Sequence, residues 1–164
     1  MRTLIVYAGK TGTTRACAEE LALRVKDAVC CDLNRENPSP EGYDAVVLGG
    51  SVRMGLIHAK ARAYVKRYAP VLAGKKLALF VCSCDITKKR VQEYLAQAYP
   101  AALVKQAIFA DSLGGELDMN KQKGLDRLVV KMIQKSPDGG MSVPGIRQSR
   151  VEALAALLKE GDPA

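Results

Sequence analysis

The sequence has few of the residue types that most often mark a specific site. It contains no tryptophan, one histidine and only 5% aromatic residues. No apolar run is long enough to cross a bilayer, so we expect no transmembrane helix. The five cysteines are an odd number without a disulfide framework, which indicates reduced thiols in the cytoplasm. Because the chain starts directly with the pattern of a strand, we also expect no targeting peptide.

Two familiar phosphate-binding motifs are missing as well. The chain lacks G-x-G-x-x-G, and its Gly-Lys-Thr run has no glycine five residues earlier, which excludes the dinucleotide fingerprint and the P-loop. Receiver domains need acidic residues after strands one and three, where this chain has Tyr7-Ala8 and Gly49-Gly50. We expect no metal site, because no further cysteine or histidine set completes the close pair Cys82 and Cys84.

The overall composition is that of an ordinary globular protein with an excess of positive charge. The 164 residues are 48% hydrophobic and carry a net charge of +8. This length fits one packed domain, which we assign to residues 1–164. The charge favours anionic partners such as phosphates, acidic proteins or a membrane surface. We expect no nucleic-acid partner.

Short apolar runs alternate with amphipathic helical patterns along most of the chain. Continuous apolar strands are typical of sheets that are covered on both faces, and a βαβα series implies parallel, doubly wound strands. The pattern therefore predicts an α/β fold with a five-stranded, doubly wound parallel sheet. The predicted strands are Arg2–Tyr7, Val29–Leu33, Ala45–Leu48, Leu77–Cys82 and Val104–Phe109.

Amphipathic stripes predict the helices between these strands. The first helix spans Thr14–Lys26, and Thr87 is the expected N-cap of a later one. An extra segment, residues 113–146, precedes the final helix and contains lysines from Lys121 to Lys135. This segment is either a core helix with a solvated basic face or a docking element for a membrane or an acidic partner.

The first strand leads into a turn that is rich in glycine and hydroxyl groups. The first N–H groups of a helix lack intrahelical acceptors and carry partial positive charge, so such a turn is suited to bind a phosphate group. An ordinary βα turn with threonine caps is the alternative. The turn consists of Gly9, Lys10, Thr11, Gly12, Thr13 and Thr14.

These residues resemble the phosphate loop of flavodoxins, Thr/Ser-x-Thr-Gly-x-Thr, with Gly9 in place of the first hydroxyl residue. The run from Gly50 to Gly55, followed by His58, resembles a loop of the menaquinone-dependent protoporphyrinogen oxidases, which reads roughly Ser-Ile-Arg-Tyr-Gly before a histidine. Tyr64–Tyr68 is similar to the Phe-Val-Lys-Lys helix of that family. The resemblance implies a flavodoxin-like fold with the strand order 2-1-3-4-5, FMN as cofactor, and two-electron oxidation coupled to a quinone.

The same resemblance assigns roles to residues at the carboxyl ends of three strands. The turn after strand one would hold the FMN phosphate, and the loops after strands three and four would frame the ring. Arg53 and His58 are the candidate catalytic residues; a surface position at a helix end is the alternative for His58. The expected cofactor-binding residues are Gly9, Lys10, Thr11, Gly12, Thr13, Thr14, Gly50, Ser51, Val52, Arg53, Met54, Gly55, Cys82, Ser83, Cys84 and Asp85.

Two departures from the flavodoxin pattern bear on the chemistry. Met54 stands where a ring-stacking tyrosine is expected, which leaves room for a substrate or weakens FMN binding. Positive charge from Arg53, Lys10 or Lys88 near the ring would raise the potential of the flavin, by on the order of 100 mV for a charge ~5 Å away. Asp85 is expected either to bond the flavin or to cap a helix.

Three functions are compatible with these features. The first is an FMN-dependent oxidoreductase that resembles protoporphyrinogen oxidase and passes electrons to a quinone or a partner protein. The second is a flavodoxin-type electron carrier without a substrate of its own. The third is a cofactor-poor module that binds a partner. The expected location is the cytoplasm. A second expectation is peripheral contact with the inner face of the membrane through the Lys121–Lys135 segment.

Overall fold

Helices and strands alternate in the computed structural model, which describes residues 1–10, 12–115 and 145–160. The apolar runs form strands and the amphipathic stretches form helices, as their periodicities predict. The elements are β1 (Thr3–Ala8), α1 (Thr13–Ala22), β2 (Ala28–Asp32), β3 (Ala45–Arg53), β4 (Leu56–Ile57), α2 (Ala59–Leu72), β5 (Lys76–Cys82), α3 (Lys88–Ala98), α4 (Ala101–Gln106), β6 (Phe109–Gly114) and α5 (Gln148–Lys159).

Five parallel strands form the main sheet in the order β2-β1-β3-β5-β6. This is the predicted 2-1-3-4-5 order, because the short β4 pairs only with β3, in an antiparallel hairpin. The register aligns Ala8 with Gly50 and Ser51 with Cys82, so the carboxyl ends of β1, β3 and β5 lie side by side. Ligands of open α/β sheets bind at this edge, where the strand order reverses.

Helices cover both faces of the sheet, and each face has its own apolar core. Every residue of β1 is buried, and its side chains alternate between the two cores. Leu4 and Val6 pack towards α2 and α3, whereas Ile5 and Tyr7 pack towards α1 and α5. The predicted two-sided burial is therefore confirmed for β1, β5 and most of β3, whereas the edge strand β2 is only partly buried. No helix in the described ranges is long and apolar enough to span a membrane.

The prediction of the last strand was wrong. The predicted strand was Val104–Phe109, but residues 104–106 belong to the helix α4 (Ala101–Gln106). The strand runs instead from Phe109 to Gly114. Pro100 explains the error, because its fixed φ starts a short helix whose apolar residues look like a strand in sequence. The true strand was hidden by Asp111 and Ser112, whose polarity hardly fits a buried strand.

Three other boundaries also need correction. The first helix ends at Ala22 rather than Lys26, although Val25 is still buried. The third strand extends beyond Leu48 to Arg53, so residues 50–53 belong to a strand and not to a loop. The proposed extra segment begins later than predicted, because residues 113 and 114 belong to β6. Thr11 and the segment Lys121–Lys135, for which a helix was predicted, lie outside the described residues.

Candidate functional site

The turn between β1 and α1 presents an open helix start. Gly12 is the N-cap and has a φ of 92°, a left-handed conformation that glycine adopts without strain. No side chain caps the helix, and its first backbone bond runs from the N–H of Ala16 to the carbonyl of Gly12 at 2.9 Å. The N–H groups of Thr13, Thr14 and Arg15 therefore lack intrahelical acceptors. Such an end is suited to bind an anion.

Residues from three strand ends meet at this turn. A Cβ atom on Gly9 would lie 2.8 Å from the Thr14 hydroxyl oxygen and 3.7 Å from the Ser51 Cβ. On the other side, the side-chain amide of Asn34, which follows β2, donates to the carbonyl of Gly9 at 3.2 Å. The backbone at Gly9 is thus held between α1 and the loop after β2, and only glycine fits there.

The predicted ring-binding loop is a β-hairpin formed by β3 and β4. Met54 and Gly55 are its two turn residues, and both have positive φ values, 52° and 78°. Two consecutive left-handed residues are typical of the type I′ turn, which matches the twist of a two-residue hairpin. The turn leaves Met54 57% exposed and the neighbouring Leu56 44% exposed. Apolar side chains therefore project into solvent from this hairpin. The hairpin borders the turn between β1 and α1, residues 9–14, which we call the phosphate turn after its predicted ligand.

His58 follows this hairpin directly and is the N-cap of α2. Its Nδ1 accepts a hydrogen bond from the backbone N–H of Lys60 at 3.1 Å, so the neutral ring carries its proton on Nε2. Burial is the main cause that lowers the pKa of His58, and the charge of Lys10 is the next. Lys60 and Arg62 lower it further, while Asp32 opposes them. The structure thus brings His58 into the electrostatic field of the phosphate turn.

We expect the pKa of His58 to lie below its ordinary value of about 6.5. The folded chain then binds fewer protons than the unfolded chain just below that pH, so its stability decreases as the pH falls through this window. Lys10→Gln should raise the pKa of His58, whereas Lys26→Gln should not, because Lys26 is not among the charges that act on the ring. A proton NMR titration measures this directly, since the chain has one histidine. A midpoint at or above 6.5 in the unmodified chain would contradict the arrangement.

The loop after β5 is held together by its own hydrogen bonds. The hydroxyl of Ser83 donates to the carbonyl of Asp85 at 2.7 Å, and one carboxylate oxygen of Asp85 accepts from both the N–H and the hydroxyl of Thr87. Thr87 is the N-cap of α3, as predicted, but its side chain makes no capping bond. Asp85 therefore orders the helix start, which is one of its two expected roles.

Cys82 is paired with Cys17, not with Cys84. Its thiol donates to the Cys17 sulfur at 3.6 Å, and Cys17 donates in turn to the carbonyl of Leu113 at 3.6 Å. The hydrogen bond with Cys17 and burial both raise the pKa of Cys82, while a bond with Thr14 opposes them. Burial also raises the pKa of Cys84. A neutral, inaccessible thiol is not a nucleophile, so we assign Cys82 to packing behind the phosphate turn.

Across residues 1–10, 12–115 and 145–160, no three His, Cys, Asp or Glu side chains are grouped to hold a metal ion.

Comparison with known proteins identifies the family. Residues 4–142 match the flavodoxin domain model. The chain belongs to the flavodoxin domain family. A similar curated protein is protoporphyrinogen IX dehydrogenase (quinone) from Escherichia coli (strain K12), which is 27% identical over 148 residues that cover 85% of this chain and 82% of the relative.

Solved flavodoxins share the fold of this flavodoxin-domain chain. Oxidised flavodoxin 2 from Bacillus cereus superposes with a TM-score of 0.55 and 20% identity, covering 81% of this chain and 94% of that one. Oxidised flavodoxin 1 from the same organism has a TM-score of 0.53 and 18% identity, with coverage of 99% and 100%. At these identities the likeness establishes the fold alone.

In this flavodoxin-domain chain, sequence reasoning missed Asn34 and Asp32 as neighbours of the phosphate turn. Asp32 is the last residue of β2 and Asn34 follows the strand, and the predicted strand order already placed β2 beside β1. A search of the residues after each of the three adjacent strands would have found them. The contact between Cys17 and Cys82 had no such signal, because it joins residues 65 positions apart on different elements.

Proposed function

We propose that this flavodoxin-domain protein binds FMN and acts as an oxidoreductase that passes electrons to a quinone or to a protein acceptor. The observation that carries the proposal is the open start of α1 at Gly12, beside the carboxyl ends of β1 and β3. The 27% identical protoporphyrinogen IX dehydrogenase (quinone) supports a porphyrinogen as substrate class.

The phosphate of FMN fits the turn between β1 and α1. A dianionic phosphate needs several N–H donors, hydroxyl groups and a nearby positive charge. The helix start supplies the N–H groups of Thr13, Thr14 and Arg15, and Lys10 is exposed at the same turn. We place the phosphate against residues 9–14 on this basis.

The flavin ring fits between the hairpin and the loop after β5. Ser51, paired with Cys82, marks where these two segments leave the sheet next to each other. Val52, Arg53, Met54 and Gly55 would border one side of the ring, and residues 83–85 the other, while Cys82 packs in the core behind them. Since neither segment contains an aromatic residue, peptide groups and the exposed thioether of Met54 would contact the ring in place of a stacking partner.

Bound FMN would supply the two-electron chemistry, and the protein would supply orientation, charge and protons. His58 is a neutral ring at pH 7 with its proton on Nε2, so it offers a hydrogen-bond donor at the edge of the site. Arg53 is the last residue of β3 and the arginine of the hairpin. Its positive charge would favour electron uptake by a ring bound there.

Reconstitution tests this function. The purified chain should gain flavin absorbance with FMN and should bind riboflavin, which lacks the phosphate, much more weakly. Under anaerobic conditions the loaded protein should convert protoporphyrinogen IX to fluorescent protoporphyrin when a soluble menaquinone or ubiquinone analogue is present.

Each remaining outcome points to one alternative. A protein that binds FMN, leaves protoporphyrinogen IX unchanged and transfers electrons from a reductase to a cytochrome is an electron carrier. A protein that gains no flavin absorbance at millimolar FMN is a partner-binding module, and the proposal is then wrong.

A further inference from the structure

Helix α2 carries a cationic face that is separate from the phosphate turn. Its 14 residues, Ala59–Leu72, include four exposed cations and no acidic residue. We refer to these four residues as the α2 cationic face. They are Lys60, Arg62, Lys66 and Arg67.

These charges lack the compensation found on the other helices. On α1, Arg15 pairs with Glu19 at 2.7 Å, and on α3, Arg90 pairs with Glu93 at 3.0 Å. Within the part of the chain that the structure describes, no carboxylate pairs with a residue of the α2 cationic face. A set of like charges on one helix that is not neutralised locally is destabilising for the free protein. This arrangement fits a surface that meets negative charge in a partner.

The face borders a groove between α2 and the end of α3. The groove has a volume of about 560 Å³. Its small apolar lining residues are Ala59 and Ala63 from α2 and Ala98 from α3. The polar lining residues are Arg62, Lys66 and Gln97. A concave site with small apolar residues and cations accepts protruding carboxylate side chains of a protein.

The face is also fixed next to the candidate flavin site. The Nε–H of Arg62 donates to the carbonyl of Ile57 at 3.0 Å, which holds this guanidinium against the base of the hairpin. The exposed Met54 and Leu56 of the same hairpin add an apolar area beside the cations. Apolar contacts with a charged rim are typical of protein interfaces.

We propose that the α2 cationic face and its groove bind an acidic protein partner of the flavin site. The inference rests on the proposed function for the presence of a flavin next to the partner, while the binding itself requires only the described surface. Charge complementarity of this kind mainly speeds association and selects the partner, and salt weakens it.

Charge reversal with a matched control tests this proposal. Lys60→Glu/Lys66→Glu alters the face, and Lys26→Glu/Lys159→Glu makes the same change in net charge at exposed positions on the side of α1 and α5. The probes are an acidic [2Fe–2S] ferredoxin and the basic protein cytochrome c, measured by calorimetric titration at low and high salt. We expect the ferredoxin to bind the unmodified protein at low salt and cytochrome c not to bind.

The first pair of substitutions should weaken ferredoxin binding at least 10-fold, and the control pair less than 2-fold. Equal weakening by both pairs would show that only net charge matters and would overturn the proposal, as would the absence of ferredoxin binding at low salt. Binding to phosphatidylglycerol vesicles that depends on Lys60 and Lys66, with ferredoxin binding that does not, would assign the face to a membrane and also overturn it.

FMN absorbance of each variant separates the two proposals. If both pairs retain FMN and only the first loses ferredoxin, both proposals stand. If no form binds FMN but the ferredoxin results hold, the docking surface stands and the proposed function fails. If FMN binds and the ferredoxin results fail, FMN binding stands and the docking surface fails.

Discussion

Gly12→Asp should weaken FMN binding at least 100-fold while the chain stays folded. Gly12 is the uncapped start of α1, and its φ of 92° is a conformation that aspartate and asparagine tolerate better than other residues do. An aspartate at this position would place a carboxylate beside the free N–H groups that we assign to the phosphate. Two unit charges ~5 Å apart interact by roughly 3 kcal/mol at an effective dielectric constant of about 20, which is more than a 100-fold change in affinity.

Gly12→Asn is the matched control for this prediction, because asparagine has the same shape without the charge. It should weaken FMN binding much less than Gly12→Asp does. Fluorescence titration gives both dissociation constants, and riboflavin provides a second control, since its weak binding should not respond to the new charge. Thermal unfolding checks that both variants fold. If Gly12→Asp binds FMN as tightly as the unmodified chain, the phosphate does not lie at the start of α1.

The sheet could be predicted from the sequence because its strands are buried on both faces. Runs such as Leu4–Tyr7 and Leu77–Cys82 are continuous and apolar, and only a sheet covered by helices buries such runs. The strand order came from the resemblance to flavodoxins, because the right-handed βαβ rule and a doubly wound pattern are compatible with more than one order. The sequence also predicted a glycine- and hydroxyl-rich turn between the first strand and the first helix, and the structure has this turn before α1. Phosphate binding at the turn stays a prediction.

Local features with weak periodicity could not be predicted. The hairpin of β3 and β4 depends on positive φ values at Met54 and Gly55, and methionine gives no sequence signal for a left-handed conformation. The strand β6 contains Asp111, which forms ion pairs with Arg147 and Arg150 from a distant part of the chain. Tertiary contacts of this kind outweigh the propensity of single residues. The same holds for the contact between Cys17 and Cys82.

Gly49 and Gly50, in the middle of β3, show that glycines next to a predicted ligand site can have a second physical cause. From the sequence, Gly50 is assigned to the cofactor site. In the structure a Cβ on Gly50 would lie 2.6 Å from a methyl carbon of Ile57, and Gly49 lies against the ring of Phe80. Core packing alone therefore requires glycine at both positions, whether or not a ligand approaches them.

Gly49→Ala should destabilise the fold by about 3 kcal/mol, which corresponds to a decrease in Tm of about 10 °C for a domain of this size. The new Cβ would lie 2.1 to 2.6 Å from three carbon atoms of the Phe80 ring. The ring is fully buried and belongs to the core that packs against α1 and α5, so it has no free space to move into. The strain must therefore separate β3 from β5 or displace the ring into its neighbours.

Phe80→Leu provides the test of this cause, because leucine lacks the distal ring atoms that the methyl group would meet. The single substitution should itself cost about 1 to 3 kcal/mol through the cavity it leaves. Combined with Gly49→Ala, it should recover at least 1 kcal/mol relative to the sum of the two single effects, and urea unfolding of all four proteins measures this coupling. Gly74→Ala is the control, since its nearest atom would be a backbone oxygen at 3.6 Å, and its stability should change by less than about 0.5 kcal/mol. Additive losses from Gly49→Ala and Phe80→Leu would show that contact with the Phe80 ring is not what excludes a side chain at position 49.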